Sequence, residues 1–235
     1  MFEKVTLLPS ELAAIIARTP PPMQYPFTHS FTRIIAFAIA FVMVCVVNNS
    51  FAQEWQLEKQ QGDITVFSAV GESGYKDVLA KTTLESDLSA LLRLLDDVEF
   101  APNWIANTIQ VKILEAASPD ERLVHTFFNA PWPIRNRDMV TYSKTVKDAN
   151  SIQINIVNKG NEHPTNPDYV RMQDMVGVWK VSDAGDKKIT ISYQGGGNPA
   201  GMLPHWMANK ALVDATFDTF VKLSEVILLE KYQSP

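Results

Sequence analysis

Four histidines, His29, His125, His163 and His205, and one cysteine, Cys45, are the side chains here best suited to acid–base, nucleophilic or metal chemistry. No two histidines are spaced four apart, so no helix face offers a pair of imidazoles to a metal ion. A single cysteine excludes an intrachain disulfide framework and a thiolate metal cluster. A serine or cysteine nucleophile needs an oriented base beside it. The sequence contains no Gly-x-Ser-x-Gly, and His125, His163 and His205 fall in a strand, a loop and the start of a helix. A His–Asp pairing across the fold stays open, with His125 and His205 as the residues to mutate. The expectation is a protein without catalysis, metal or cofactor.

A second group of polar residues is better defined. Pro131-Trp132-Pro133-Ile134-Arg135-Asn136 leads into Arg137-Asp138. Two prolines fix φ and remove two amide donors, so this loop cannot extend a sheet. Trp132 between them either is held outward over a cavity mouth or plugs the core. On a strand, Arg137 and Asp138 point to opposite faces. One of them therefore faces inward or sits at a strand end, and a buried charge needs a partner. The structural role is a tie from the loop base to a neighbouring segment. Arg171 reads the same way, as a solvated strand end or a binding group.

The elements that must position these residues follow from periodicity and turn signals. Trp55 to Gln61 reads as a short helix or lead-in. Strands are predicted at 64–68 and 76–83, joined by a Gly71-to-Gly74 turn. Ser86-Asp87 caps a helix through Leu88, Leu91, Leu92 and Leu95, and Pro102-Asn103-Trp104 starts a second short helical piece. Further strands are predicted at 108–116 (Ile109, Val111 and Ile113 on one face), 122–129, 137–146, 151–159, 170–181 and 188–193. One long helix then runs from Leu203 to about Tyr232. Hairpin-length connections make the sheet antiparallel, and a single helix covering a curved sheet is an α+β layer architecture.

In the last helix Trp206, Met207, Val213, Phe217, Phe220, Val221 and Leu228 recur near helical period. It is either a core helix or a lid over a cavity. The lid reading draws on Gly195-Gly196-Gly197 as a hinge and on the methionine and aromatic content of the stripe.

Hydrophobic content of 46% supports a real core, and the net charge of −5 without a basic run excludes nucleic acid as an expected partner. No repeat or linker interrupts residues 53–235, read as one domain. Residues 34–47 (IIAFAIAFVMVCVV) are apolar throughout, short of the ~20 a bilayer span needs. With Arg33 before them and Asn48-Asn49-Ser50-Phe51-Ala52 after, residues 32–52 read as a secretory signal cleaved after Ala52. The alternative is a membrane anchor through 34–47. Residues 1–31 read as an extension, with Met23 a candidate true start. The expected location is exported, periplasmic or secreted.

Five features in order resemble the START family of lipid-transfer domains: Trp55 ahead of Gly62-Asp63-Ile64-Thr65-Val66-Phe67; Trp104 after the helical segment; Pro131-x-Pro133 followed by Arg137-Asp138; Val170-Arg171 ahead of Gly177-x-Trp179; and Asn198-Pro199-x-Gly201-x-Leu203-Pro204-x-Trp206 opening the final helix. The resemblance covers nearly all of residues 55–231; with the export signal and the compact chain, the expectation is a bacterial exported member. The resemblance implies a helix-grip fold, a curved antiparallel sheet wrapped around a long C-terminal helix with an internal cavity. It implies binding and transfer of one lipid, sterol or isoprenoid, gated by the 129–136 loop and the start of the last helix. The acidic surface suggests transient membrane contact, and the expected state is a monomer. The candidate ligand-binding residues are Trp104, Phe128, Trp132, Arg137, Arg171, Met202, Trp206, Met207, Val213, Phe217 and Phe220, with Arg137 and Arg171 as alternatives for a lipid head group. Thr126 and Ser143 align where sterol-carrying relatives hold a buried Glu–Arg pair, which argues against a sterol. Alternatives from the wider superfamily are a cyclase- or hydrolase-like enzyme and a lipid-responsive sensor.

Overall fold

The computed structural model describes residues 54–71 and 73–233. The expected extension (1–31), signal (32–52) and anchor (34–47) lie outside them. Among the described residues, no helix is long and apolar enough to cross a membrane.

The chain forms ten strands: β1 (Gln56–Gln61), β2 (Ile64–Val70), β3 (Lys76–Glu85), β4 (Thr108–Ser118), β5 (Glu121–Phe128), β6 (Arg137–Lys147), β7 (Ser151–Asn158), β8 (Val170–Arg171), β9 (Gln173–Gly185) and β10 (Lys188–Asn198). Helix α1 (Ala90–Asp96) follows β3, and α2 (His205–Val226) follows β10. The strands lie in the order β1-β2-β3-β10-β9-β7-β6-β5-β4, and each neighbouring pair is antiparallel. β8 alone is parallel, beside the start of β6. The result is the α+β helix-grip arrangement.

The apolar faces of β2, β3, β9 and β10 carry Val66, Val78, Ala80, Val181 and Ile191, all buried. α2 lies across β2 and β3 and buries Ala208, Val213, Thr216, Phe220 and Leu223, one stripe at helical spacing. Val213, Phe220 and Leu223 each contribute roughly 1.5–3 kcal/mol on burial. The helix start is fastened to the β2–β3 turn. Asn209 Oδ1 accepts the Lys76 amide at 2.9 Å, and its Nδ2 donates to the Gly74 carbonyl at 3.1 Å. The His205 and Tyr75 rings meet edge-on at 4.5 Å.

Several elements depart from the expectation. Residues 56–61 are an edge strand rather than a helix. Apart from exposed Leu57 their side chains are polar and mostly exposed, so no hydrophobic alternation marks the pairing to β2, which the Ser68 hydroxyl reinforces by donating to Glu58 at 2.6 Å. The 170–181 strand is broken at Met172. Asp174 adopts φ 54°, and residues 170–171 turn aside to pair with β6. The final helix ends at Val226, and a short turn at 230–232 returns the chain to α1.

Gly195-Gly196-Gly197 is not a hinge. Strand β10 runs through it, Gly195 pairing with Val78 and Gly177 on either side. The glycines are needed for close approach. A Cβ at Gly195 would lie 2.5 Å from the Tyr193 hydroxyl and 2.7 Å from the Val176 carbonyl.

Candidate functional site

α2 covers only one half of the sheet. Over the other half, β4 to β7, lie α1 and residues 97–107, and between them is a cavity of about 290 Å³. Strand alternation builds its floor. Val111 and Ile113 of β4, Val124 and Thr126 of β5, Met139, Thr141 and Ser143 of β6, and Ile154 and Ile156 of β7 face it. Leu92, Leu95, Val98, Ala101 and Trp104 form its roof. Trp179 of β9 is the wall toward the packed core. It stacks on Phe220 at 5.7 Å and 10°, and meets Trp104 edge-on at 6.3 Å. The Trp104 indole N–H is buried without a hydrogen-bond partner.

The roof is held by polar ties. Asp87 caps the approach to α1, accepting the Ser89 amide at 2.9 Å and Arg93 at 2.5 Å. Arg93 Nε donates to the Tyr232 carbonyl at 2.8 Å. Lys231 and the Tyr232 hydroxyl both donate to Asp97 at 2.7 Å and hold its carboxyl below the ordinary range. The Thr219 hydroxyl of α2 accepts the Ala106 amide at 3.0 Å.

At the end of α1 the lining becomes charged, with Asp96, Asp120, Arg122 and Lys147. Outside lies a hollow of about 470 Å³, open to solvent and sharing Asp96, Ile113, Pro119 and Arg122 with the cavity. The smaller, enclosed space is the better ligand site, because it buries apolar surface.

The opposite face of the same strands carries a separate polar cluster. Asp138 is 1% exposed. Its Oδ2 accepts Arg171 Nε at 3.0 Å and Nη2 at 2.8 Å, and lies 2.7 Å from His125 Nε2. Arg171 also donates to the carbonyls of Gly160, His163 and Pro164, binding the 160–164 segment. Burial alone pushes the Asp138 carboxyl up, but hydrogen bonds from Arg171 and His125 outweigh it and hold it below its ordinary value. Asp138 thus ties the loop base to a neighbouring segment. Arg171 is not a solvated strand end. The break at Met172 aims its guanidinium at Asp138.

Of the eleven candidate residues, Trp104 lines the cavity and Phe220 backs its Trp179 wall. Val213 is buried in the core beside Phe220, and Phe217 packs on that core beneath Lys59 Nζ, 5.0 Å from its ring. Arg171 is bound to Asp138, and half-buried Arg137 donates to the Arg135 carbonyl. Phe128 and Met207 are half-buried. Trp132 (92% exposed), Trp206 (67%) and Met202 stand in solvent. Among the described residues, none from α2 or the 129–136 loop lines the cavity. The lining that periodicity missed includes Thr141 and Thr145 of β6, whereas Thr126 and Ser143, aligned with the buried pair of sterol-carrying relatives, do line the cavity. Bulges at Ile109 and Leu114 put both outside while Val111 and Ile113 face in.

A family model described as the START domain matches residues 48–226. An uncharacterized protein of Pseudomonas aeruginosa, PA1579, is 28% identical over 183 residues, covering 77% of this chain and 90% of that protein. Human START domain-containing protein 10 is 26% identical over 122 residues, 52% of this chain and 42% of its own. Among solved structures, a STAR-related lipid transfer protein fragment from Xanthomonas axonopodis superimposes with a TM-score of 0.67 at 23% identity, covering 74% of this chain and 98% of its own. Human STARD10 gives 0.66 at 20% identity, covering 82% and 78%.

Asp138→Asn is expected to cost about 3–5 kcal/mol at pH 7, since it leaves two partners of a buried carboxylate uncompensated. The depressed pKa makes the wild-type advantage full above the ordinary carboxylate value near ~3.9 and lost as pH falls through the lower folded value. Urea titrations between pH 7 and pH 3 should show the gap closing at the acid end; a constant gap would contradict the ionised pairing.

Proposed function

The chain belongs to the START domain family, and on that premise we propose that it binds one hydrophobic ligand in the cavity under α1. The observation that carries this is an enclosed, mainly apolar space of about 290 Å³ walled by Trp104 and Trp179. That suits one alkyl chain or a small ring system. Burial at ~25 cal/mol per Å² supplies the affinity. The names of its relatives, which include lipid transfer proteins, support the ligand class.

The role we assign is carriage of the ligand, not catalysis. This is supported by the absence of histidine from the lining and by the engagement of His125 with Asp138 on the other face. For delivery we propose transient contact with a membrane through the 129–136 loop and the start of α2. Support comes from Trp132, Met202 and Trp206, three exposed apolar side chains in those segments. Tryptophan favours the bilayer interface. The segments are bridged by Val170, whose amide donates to the Asn136 carbonyl at 2.8 Å and whose Cγ1 would lie 3.6 Å from a Cβ at Gly201. We further propose a monomeric, exported, bacterial protein whose signal is residues 32–52.

Three measurements test these readings. Native mass spectrometry of the purified full-length chain should find a stoichiometric hydrophobic ligand, and Thr126→Phe should lose it while melting near wild type. An empty wild type that also ignores phospholipids, sterols and fatty acids sinks the carrier reading. Trp132→Ala with Trp206→Ala should cut vesicle co-sedimentation several-fold without changing ligand affinity; unchanged sedimentation removes this surface. Terminal sequencing of exported protein should begin at Gln53, and an intact 34–47 segment would favour an anchor.

A further inference from the structure

The charged end of the cavity carries information about the ligand's head. Arg122 follows the inward register of Val124 and Thr126, so its stem lies against the lining while the guanidinium reaches the lip. There it is paired with Asp96, and its second arm donates to the Pro119 carbonyl at a long 3.4 Å. Lys147, paired with Asp120 at 2.7 Å, adds a second cation to the same lip.

The two partners of Arg122–Asp96 are not equivalent. The arginine side chain is 25% exposed and the aspartate 52%. An exposed pair of this kind contributes little to stability, and Asp96 released from it simply hydrates. Arg122 freed of its counterion would stay at an apolar edge, where an unpaired charge is costly. The exchangeable member is therefore the anion. A planar guanidinium also offers two parallel donors to a carboxylate or phosphate, better than the present single carboxylate contact and long carbonyl bond.

Resting on the ligand-binding reading above, we propose that Arg122 binds the anionic head of a single-chain amphiphile whose tail fills the cavity. The ligand's oxygens replace Asp96 on the guanidinium, and the head projects into the outer hollow between the end of α1 and the β4–β5 turn. The chemistry required is an anionic oxygen pair on one alkyl chain, supplied by a fatty-acid carboxylate or a monoacyl phosphate.

The test uses the full-length chain and displacement of a fluorescent apolar probe by hexadecanoate, hexadecyl phosphate and uncharged hexadecanol at pH 8. At least one anion should bind about tenfold or more tightly than the alcohol, as one charge-assisted contact provides. The anion that binds tighter names the head. Arg122→Gln should erase the preference, so that neither anion binds more tightly than hexadecanol. Equal affinities in the wild type, or a preference that survives Arg122→Gln, would overturn the head site. Binding of none of the three would instead sink the ligand reading itself. Asp96→Asn provides a second handle that removes the competitor. It should tighten anion binding several-fold without affecting the alcohol, and unchanged or weaker anion binding would overturn the exchange.

Discussion

Trp179 serves two environments, and the division of this molecule into a packed half and a hollow half depends on it. One face stacks on Phe220 of α2 and joins the core; the ring also bounds the cavity beside Trp104. A large rigid side chain is needed there. A smaller residue would let core side chains relax into the void, because interiors tend to close-packing. The Gly177 and Gly195 pair next to it admits the Tyr193 ring, which leans on Trp179 at 4.7 Å. Burial, with the nearby charge of Asp77, pushes the Tyr193 phenol up to about 12, so that neighbour stays neutral.

Charges are distributed on the sheet according to which side they must serve. On the outer face one buried carboxylate gathers Arg171 and His125 and fixes the 160–171 excursion to β5 and β6. On the inner face the middle of the floor is apolar or hydroxylic, and ion pairs appear only at the lip. The first arrangement rigidifies, because every partner is desolvated. The second stays exchangeable, because water competes for it.

Much of this was legible in the sequence. The hairpins of β2–β3 and β4–β7 were marked by alternation and turn residues, the Pro131–Pro133 loop by missing donors, and α2 by its stripe. Trp104 was picked out as a binding residue from the family pattern. What was not legible has physical causes. β1 is a run of mostly polar, exposed side chains with no alternation to read. Gly195 to Gly197 look like a flexible run, yet are glycines because side chains and carbonyls crowd them. Thr141 and Thr145 are polar letters that line a cavity, so alternation alone does not mark them as lining. α2 has an apolar stripe whichever space it faces, and only the placement of α1 over β4–β7 decides that the hollow lies elsewhere.

Among the described residues the open sheet ends in two edges, β1 and β4. An unpaired edge is a template on which another chain can add, and β4 carries exposed Ile109, Ile113 and Leu114. Its register shifts three times along eleven residues. Bulges twist and kink a strand, so β4 cannot present the long, flat row of donors and acceptors that an incoming strand would match. β1 has one such shift and presents Glu58 and Lys59 instead. The irregularities that set which β4 side chains reach the cavity therefore also deny this edge a flat partner strand.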